Sequence, residues 1–402
     1  MKILVISQYF YPENFRINDL CFSLSKNGHE ITVLTGKPNY PNGDYFEEYS
    51  WNSSEKEIIE NIPVFRANLF LRKKGKPLDL ILNYLSFVFF GSIKVLKIKS
   101  NFDKIFIYAP SPITVGIVGL IAKIKFKAKT YLWVHDLWPE SVKVAGGVKS
   151  KLIISLTDIM TRFIYNHSDF ILVQSPAFKD YILKQNIPEN KIIYYPYYAE
   201  EFYKPRPKEK RYKKYFPKGF NIVFAGNIGY AQNLETLVKS SVILKKKGIK
   251  VNFIIFGDGR DKKRIKDLIN KENLNDFFYF QGSLPAVEMP YIFSFSDSLF
   301  LSLKKSIIFS KTIPGKFQSY IACGKPIIGS IDGITSEIIV DNEIGFVSPA
   351  EDSLQLSNVI IKMKTISSLK REKFEKNALN YFKNNFNKQD LINKLEFILK
   401  SN

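Results

Sequence analysis

The stretch NIVFAGNIGYAQNLETLVK, Asn221–Lys239, restricts the possible folds more than any other. The unbroken apolar run Ile222, Val223, Phe224, Ala225 reads as a strand covered on both faces, the condition of a central strand in a parallel sheet. The loop Gly226, Asn227, Ile228, Gly229 follows, and then a helical pattern. A strand that passes through a glycine turn into a helix start offers free backbone N–H groups and the positive end of a helix dipole, which suits phosphate. Glycine allows the anion to reach the backbone. Plain βα connections look the same, so the ligand reading leans on a second helix start, near Pro314, that can close on the same group.

A chain of 402 residues exceeds one ordinary core, so two domains are expected. Its 45% hydrophobic and 15% aromatic content describes a globular protein rather than a disordered one. Cys21 and Cys323 lie in apolar helical patterns without C-x-x-C spacing, and read as reduced core residues of a cytosolic protein. MKILVISQYF enters a strand directly, without the apolar segment and cleavage site of a signal peptide. A formal net charge of +21 calls for an acidic partner: nucleic acid, anionic lipid or a phosphorylated substrate.

Strand Lys2–Ser7, loop Gln8–Asn14, helix Phe15–Asn27 and strand Glu30–Thr35 open a parallel sheet. The first loop holds no glycine, which argues against a nicotinamide site there. The long loop Gly36–Trp51 is rich in tyrosine and turn residues and reads as functional, suited to sugar or lipid headgroups. In Arg72–Lys99, an uncharged core from Leu80 to Ile93 is too short to span a bilayer and is flanked by cations. Either a buried core helix or an interfacial helix fits, and the cationic flanks favour the interface. Further strands are expected at Phe102–Tyr108, Thr130–Val134 and Ile171–Gln174, with a helix at Ile113–Lys123. The strand at Thr130–Val134 delivers HDLWPES, His135–Ser141, to the end of the sheet where ligands sit. His29, after Gly28 at a helix C-terminus, reads as a cap, and His167, in a helical stretch before Ser168-Asp169, as structural.

The basic, proline-containing span after Tyr195 has no hydrophobic period and marks a domain boundary. We therefore expect domains at 1–200 and 201–379, with a tail helix from about 380 to 402 packing back on the first. The second half starts a new doubly wound pattern, with strands at Val251–Phe256, Phe277–Phe280, Ser298–Ser302 and Pro326–Gly329. Pro314 can open a helix that places Lys316 in its first turn. A lysine there opposes the helix dipole at about a few tenths of a kcal/mol, unless an anionic diphosphate neutralises it.

The motifs YFYPENFRINDL, GHEITVLTGKPNYPNG, WVHDLWPES, FAGNIGYAQN, EMPYIFSFSD and TIPGKFQSYIACGKPII together resemble those of family 4 retaining glycosyltransferases. The chain is most similar to the WbuB-like branch of bacterial capsule and O-antigen clusters, which includes N-acetyl-fucosaminyl transferases. The resemblance implies the GT-B architecture, two Rossmann-like α/β domains facing a central cleft. It implies that Gly226–Gly229, with Gly226, Asn227 and Gly229 as its site residues, and Lys316 hold the diphosphate of a UDP-sugar, with Gly282, Ser283 and Leu284 near the uracil and Gly257 elsewhere in the donor site. Thr312, Pro314, Gly315, Gln318 and Ser319 would complete the donor site. His135 would approach the donor sugar, Asp136 would share that task, and Tyr11, Glu13, Asn14 and Arg16 would border the acceptor. Departure and attack on one face, helped by the leaving phosphate, would require no carboxylate nucleophile, unlike retaining hydrolases. No metal or other cofactor is expected, positive charge and helix dipoles stabilising the UDP instead. The chain departs from the family at Lys311 and Ser319, where many members carry glutamates, and at Asn14-Phe15, where many carry Gly-Gly.

The expected activity is transfer of an N-acetylamino sugar, N-acetyl-fucosamine-like, from a UDP-sugar to a polyprenyl-diphosphate-linked sugar acceptor, for capsule or O-antigen synthesis. The enzyme would work on the cytoplasmic face of the cell membrane, against its anionic surface. A UDP-sugar 2-epimerase of the same fold is one alternative, and would need more acid–base residues than His135, Asp136 and Glu140. A non-enzymatic nucleic-acid or membrane-surface binder is the other. Scattered lysines without a recognised binding motif argue against nucleic acid.

Overall fold

A computed structural model describes residues 1–144 and 150–401. The chain divides into two compact units, Met1–Tyr195 with Ile392–Asn402, and Pro196–Leu391. The first division falls near the boundary read from the basic span. The tail, however, joins the first unit only from Ile392 and not from 380, because the helix before it is tied into the second unit's core through Ala378 and Phe386.

The N-terminal unit contains strands β1 (Lys2–Ser7), β2 (Glu30–Gly36), β3 (Lys56–Ile59), β4 (Ile62–Ala67), β5 (Lys104–Ala109), β6 (Lys129–Val134), β7 (Phe170–Val173) and β8 (Ile192–Tyr194). They form one sheet in the order β3-β4-β2-β1-β5-β6-β7-β8, parallel except for β3 against β4. Its helices are α1 (Arg16–Lys26), α2 (Pro77–Lys97), α3 (Val115–Phe126), α4 (Glu140–Val144), α5 (Lys151–His167) and α6 (Pro176–Leu183). Phe87 of α2, Val118 of α3, Ile164 of α5 and Phe178 of α6 enter one core with Leu4, Ile6, Ile107 and Val134. Those four helices therefore cover one face of the sheet, as right-handed crossovers require.

The β3–β4 hairpin was not anticipated, and α5 reads in the sequence only as a helical stretch holding His167, without bounds. The hairpin turns on Glu60 and Asn61, both at positive φ (48° and 65°), without the glycine that usually signals such a turn. α2 is longer than its uncharged core suggested: its 21 residues include Lys94, buried beside Glu55. By length and composition alone it could cross a membrane, yet it seats Asn83, Ser86, Phe87, Gly91 and Val95 in the unit. His29 is not a cap. Asn27 ends α1, and His29 lies 3.4 Å from Glu396 in the returning tail.

The C-terminal unit is a six-stranded parallel sheet. Its strands are β9 (Asn221–Ala225), β10 (Asn252–Phe256), β11 (Phe278–Gly282), β12 (Ser298–Ser302), β13 (Ile327–Ser330) and β14 (Gly345–Ser348). Their order is β11-β10-β9-β12-β13-β14, reversing between β9 and β12. Along β9, Ile222 and Phe224 enter one core while Val223 and Ala225 enter the other. This two-sided burial is what the continuous apolar run encodes. Helices α7 (Leu234–Lys246), α8 (Lys262–Lys271), α9 (Met289–Ser294), α10 (Ile307–Lys311), α11 (Gly315–Ala322), α12 (Ile334–Asp341), α13 (Ser353–Thr365) and α14 (Ser368–Phe386) belong to this unit, and α15 (Lys388–Ser401) ends the chain. Breaks at Ile366-Ser367 and at Asn387 separate α13, α14 and α15.

Candidate functional site

In open α/β sheets, ligands bind beyond the strand ends where the strand order reverses. In the C-terminal unit that place lies between β9, which leads into the Gly226 loop, and β12, whose chain continues through α10 to α11. The two sides are tied together: Ser302 Oγ donates to Gln232 O (2.5 Å) and Lys304 N to Ala231 O (2.9 Å).

The glycines at the ends of three neighbouring strands interlock. Gly226 N donates to Phe256 O (2.9 Å), Gly257 N to Gly282 O (2.7 Å) and Ile228 N to Asp258 O (2.7 Å). Gly226, Gly257 and Gly282 all have positive φ, which favours glycine. A Cβ on Gly257 would stand 2.0 Å from Gly226 O, and one on Gly259 2.2 Å from Ile228 O. Gly229 N donates to Gln232 Oε1 (3.1 Å). The expected free backbone donors at Gly226, Ile228 and Gly229 are therefore engaged within the protein, because adjacent loops pair with each other. The helix also starts later than expected: a short 3₁₀ turn, Tyr230–Gln232, precedes α7.

The cation comes from α11. Tyr320 Oη accepts from Ala225 N (3.0 Å) and donates to Ala225 O (3.2 Å). One helical turn earlier, on the same face, Lys316 lies along the next residue of the strand exit. A Cβ on Gly226 would be 2.5 Å from Lys316 Cε and 3.0 Å from its Nζ. Nζ sits 3.7 Å from the Phe224 ring centroid, is sequestered from solvent and makes no hydrogen bond among the described residues, although the residue as a whole is only half-buried. Burial pulls its pKa down from 10.5 to about 7. An ammonium with only a ring face for company is what an anion would complete.

The other expected donor residues fall around this centre with different surroundings. Asn227 and Ser283 are exposed, and Leu284 packs on the core. Thr312 Oγ1 is bonded to Ile308 O (2.9 Å). Gln318 is fully buried, its amide oriented so that nitrogen donates to Pro314 O (2.9 Å) and Gly315 O (3.1 Å). Ser319 Oγ donates to Gly315 O (3.3 Å). Gln318 and Ser319 thus satisfy their side chains inside α11. Tyr320 and Gly259 escaped the sequence reading. A tyrosine four residues after the lysine was the only signal for the first, and G-D-G after a strand for the second.

In the N-terminal unit the order reverses between β1 and β5. Glu13 is buried rather than open to an acceptor. Its carboxylate accepts from Phe10 N (3.2 Å), Asn39 N (3.0 Å) and Tyr40 N (2.8 Å), joining the loops after β1 and β2. Burial raises its pKa to about 7 despite those bonds. Arg66, fully buried, holds Tyr11 O and Glu57. Tyr11 and Asn14 remain exposed. His135 follows β6 between Tyr108 and Trp133, with ring centroids 4.7 and 4.3 Å away. Burial first, and then the Arg16 charge, hold its pKa well below 6.5, so Arg16 and His135 share one electrostatic neighbourhood. Burial raises Asp136 to about 7.

Residues 15–196 match the family model described as Glycosyltransferase Family 4, and residues 206–381 match Glycosyl transferases group 1. The chain is therefore a glycosyltransferase of the GT-B fold, with a family 4 domain followed by a group 1 domain. It is 24% identical over 395 residues to the uncharacterized glycosyltransferase MJ1069 of Methanocaldococcus jannaschii, covering 96% of this chain and 95% of the relative. To the putative colanic acid biosynthesis glycosyl transferase WcaI of Escherichia coli it is 24% identical, covering 81% and 82%. Among solved structures, Anabaena Alr3699/HepE in complex with UDP superposes with a TM-score of 0.71 at 15% identity, over 100% of both chains.

Proposed function

We propose that the enzyme is a retaining, metal-independent transferase that moves an N-acetylamino sugar, N-acetyl-fucosamine-like, from a UDP-sugar to a polyprenyl-diphosphate-linked sugar in capsule or O-antigen synthesis. The observation that carries the donor reading is the sequestered, unbonded ammonium of Lys316 against Gly226. A diphosphate there would restore the lysine's charge and gain a charge-assisted hydrogen bond. The Alr3699/HepE complex with UDP and the likeness to WcaI support the nucleotide and the polysaccharide setting. In this reading Lys316 holds the leaving UDP, His135 and Asp136 attend the donor sugar, and the loop from Tyr11 to Arg16 borders the acceptor, with Glu13 positioning it. The cationic, apolar α2 would bring the unit to the anionic membrane where such an acceptor resides.

Incubating the enzyme with UDP-sugars and a lipid-linked saccharide, and following both UDP release and product, tests the proposal. UDP-N-acetylamino sugars should give transfer with retained anomeric configuration. Absence of transfer from every UDP-sugar would reject it.

A further inference from the structure

Two helices of the N-terminal unit bury polar side chains among apolar ones and leave an apolar stripe exposed. α5 buries Thr157, Thr161, Ile164 and Tyr165. The threonine hydroxyls are satisfied on Ile153 O and Thr157 O, both at 2.7 Å. Outward it presents Leu152, Leu156, Ile159 and Phe163, between 52% and 69% exposed. Their spacing of four, three and four residues makes one stripe along the helix. A helix bordering water is expected to have the opposite arrangement. α2 does the same, with Asn83, Ser86 and Lys94 buried beside Phe87 and Val95, and Leu78, Leu82, Leu85 and Phe89 outside. Between them α3 packs against both helices. Its half-buried Ile117 and Ile121 and exposed Ile124 continue the apolar surface from one stripe to the other. A patch spread over three adjacent helices is far more than the scattered apolar residues usual on a protein surface.

The rim is cationic. Exposed Lys73 and Lys76 precede α2, Lys97 ends it, Lys127 caps α3 and Lys151 opens α5. The three helices hold two acids, Asp79 and Asp158, each within an ion pair, to Lys73 and Arg162. A second copy of the chain would bring like charges together around the patch, and lysine is depleted at such interfaces. An anionic bilayer fits both parts, hydrocarbon for the stripes and negative headgroups for the rim.

We propose that α5 is a bilayer-contact helix that acts with α3 and α2 to seat the N-terminal unit on the headgroup–acyl boundary of an anionic membrane. The proposal rests on the membrane-borne acceptor read above, and adds a contact helix to it. Flotation of the full chain with phosphatidylcholine vesicles, with and without phosphatidylglycerol, provides the test. Wild type should bind the phosphatidylglycerol vesicles, less at high salt. Leu156→Ser with Phe163→Ser should weaken that binding at least tenfold while UDP still raises the melting temperature. Lys127→Glu with Lys151→Glu should remove the preference for phosphatidylglycerol, and decides the matter if the serine variant loses its UDP response. Unaltered binding by both variants, or no vesicle binding by wild type, would overturn the proposal. So would a dimer that the serine variant splits without any change in flotation. Failure of the donor reading would look different: flotation intact, with no stabilisation by UDP.

Discussion

Lys316 fills the space that a side chain on Gly226 would need, its Cε 2.5 Å and its Nζ 3.0 Å from the position of a Cβ there. The two residues come from opposite sides of the strand-order reversal between β9 and β12. Their contact gives the glycine and the lysine one shared role, and variants of each should show it.

Gly226→Ala would push against the flexible end of a lysine, whereas Gly257→Ala would push against a carbonyl, Gly226 O at 2.0 Å. The first variant should fold, with strain of about 1–3 kcal/mol at its positive φ, and bind UDP at least about tenfold more weakly, or 1.4 kcal/mol. The second should be severely destabilised. Urea unfolding and UDP titration calorimetry separate the two outcomes.

Burial holds Lys316 near pKa 7 in the folded protein against an ordinary value of 10.5. Between those values the unfolded chain binds more protons, so the lysine's contribution to stability improves as pH rises through that window, and its penalty is complete below pH 7. Lys316→Met should therefore melt no lower than wild type at neutral or acidic pH, yet lose most of its stabilisation by UDP. Because a bound anion favours the ammonium, wild-type UDP affinity should fall above pH 7, and that part of the pH dependence should vanish in the variant. Thermal melts with and without UDP from pH 6 to 9 measure both effects.

Tyr320→Phe removes two hydrogen bonds to Ala225 without altering the shape of the core. It should cost about 1–3 kcal/mol, because the Ala225 amide loses a buried partner. If the tyrosine also sets the height of Lys316 along the strand exit, UDP binding will weaken beyond what lost stability explains. Isothermal titration well below the melting temperature tests this.

The sheets were legible because buried parallel strands leave unbroken apolar runs, as in Ile222–Ala225 and Leu132–Val134. The strand-to-glycine exits were legible for a related reason, since only glycine takes the required φ. The β3–β4 hairpin was hidden by a Glu60-Asn61 turn without glycine, and the extent of α5, beyond the helical stretch at His167, by the apolar stripe on its exposed face. Within the site, residue types indicated which positions mattered but not which way their donors point. The amides of Gly226 and Ile228 turn towards a neighbouring loop, and Gln318 turns into its own helix. Such pairings join segments far apart in the chain, and no local pattern records them.

His135 is held neutral by burial and by Arg16. His135→Ala should lower turnover by roughly a hundredfold, the scale of one lost transition-state contact, while stabilisation by UDP persists. The wild-type rate should also lack a histidine step near pH 6.5. Steady-state assays across pH 5.5–8 provide the check.

The lacing of Gly226, Gly257 and Gly282 across three strand ends has an evolutionary corollary. A floor already fixed by its own backbone needs no remodelling when a new nucleotide-linked sugar is recruited. Exposed neighbours such as Asn227 and Ser283 are free to vary around the diphosphate and the uracil while the scaffold beneath stays constant, so relatives with divergent specificities should keep this glycine framework and differ in what surrounds it.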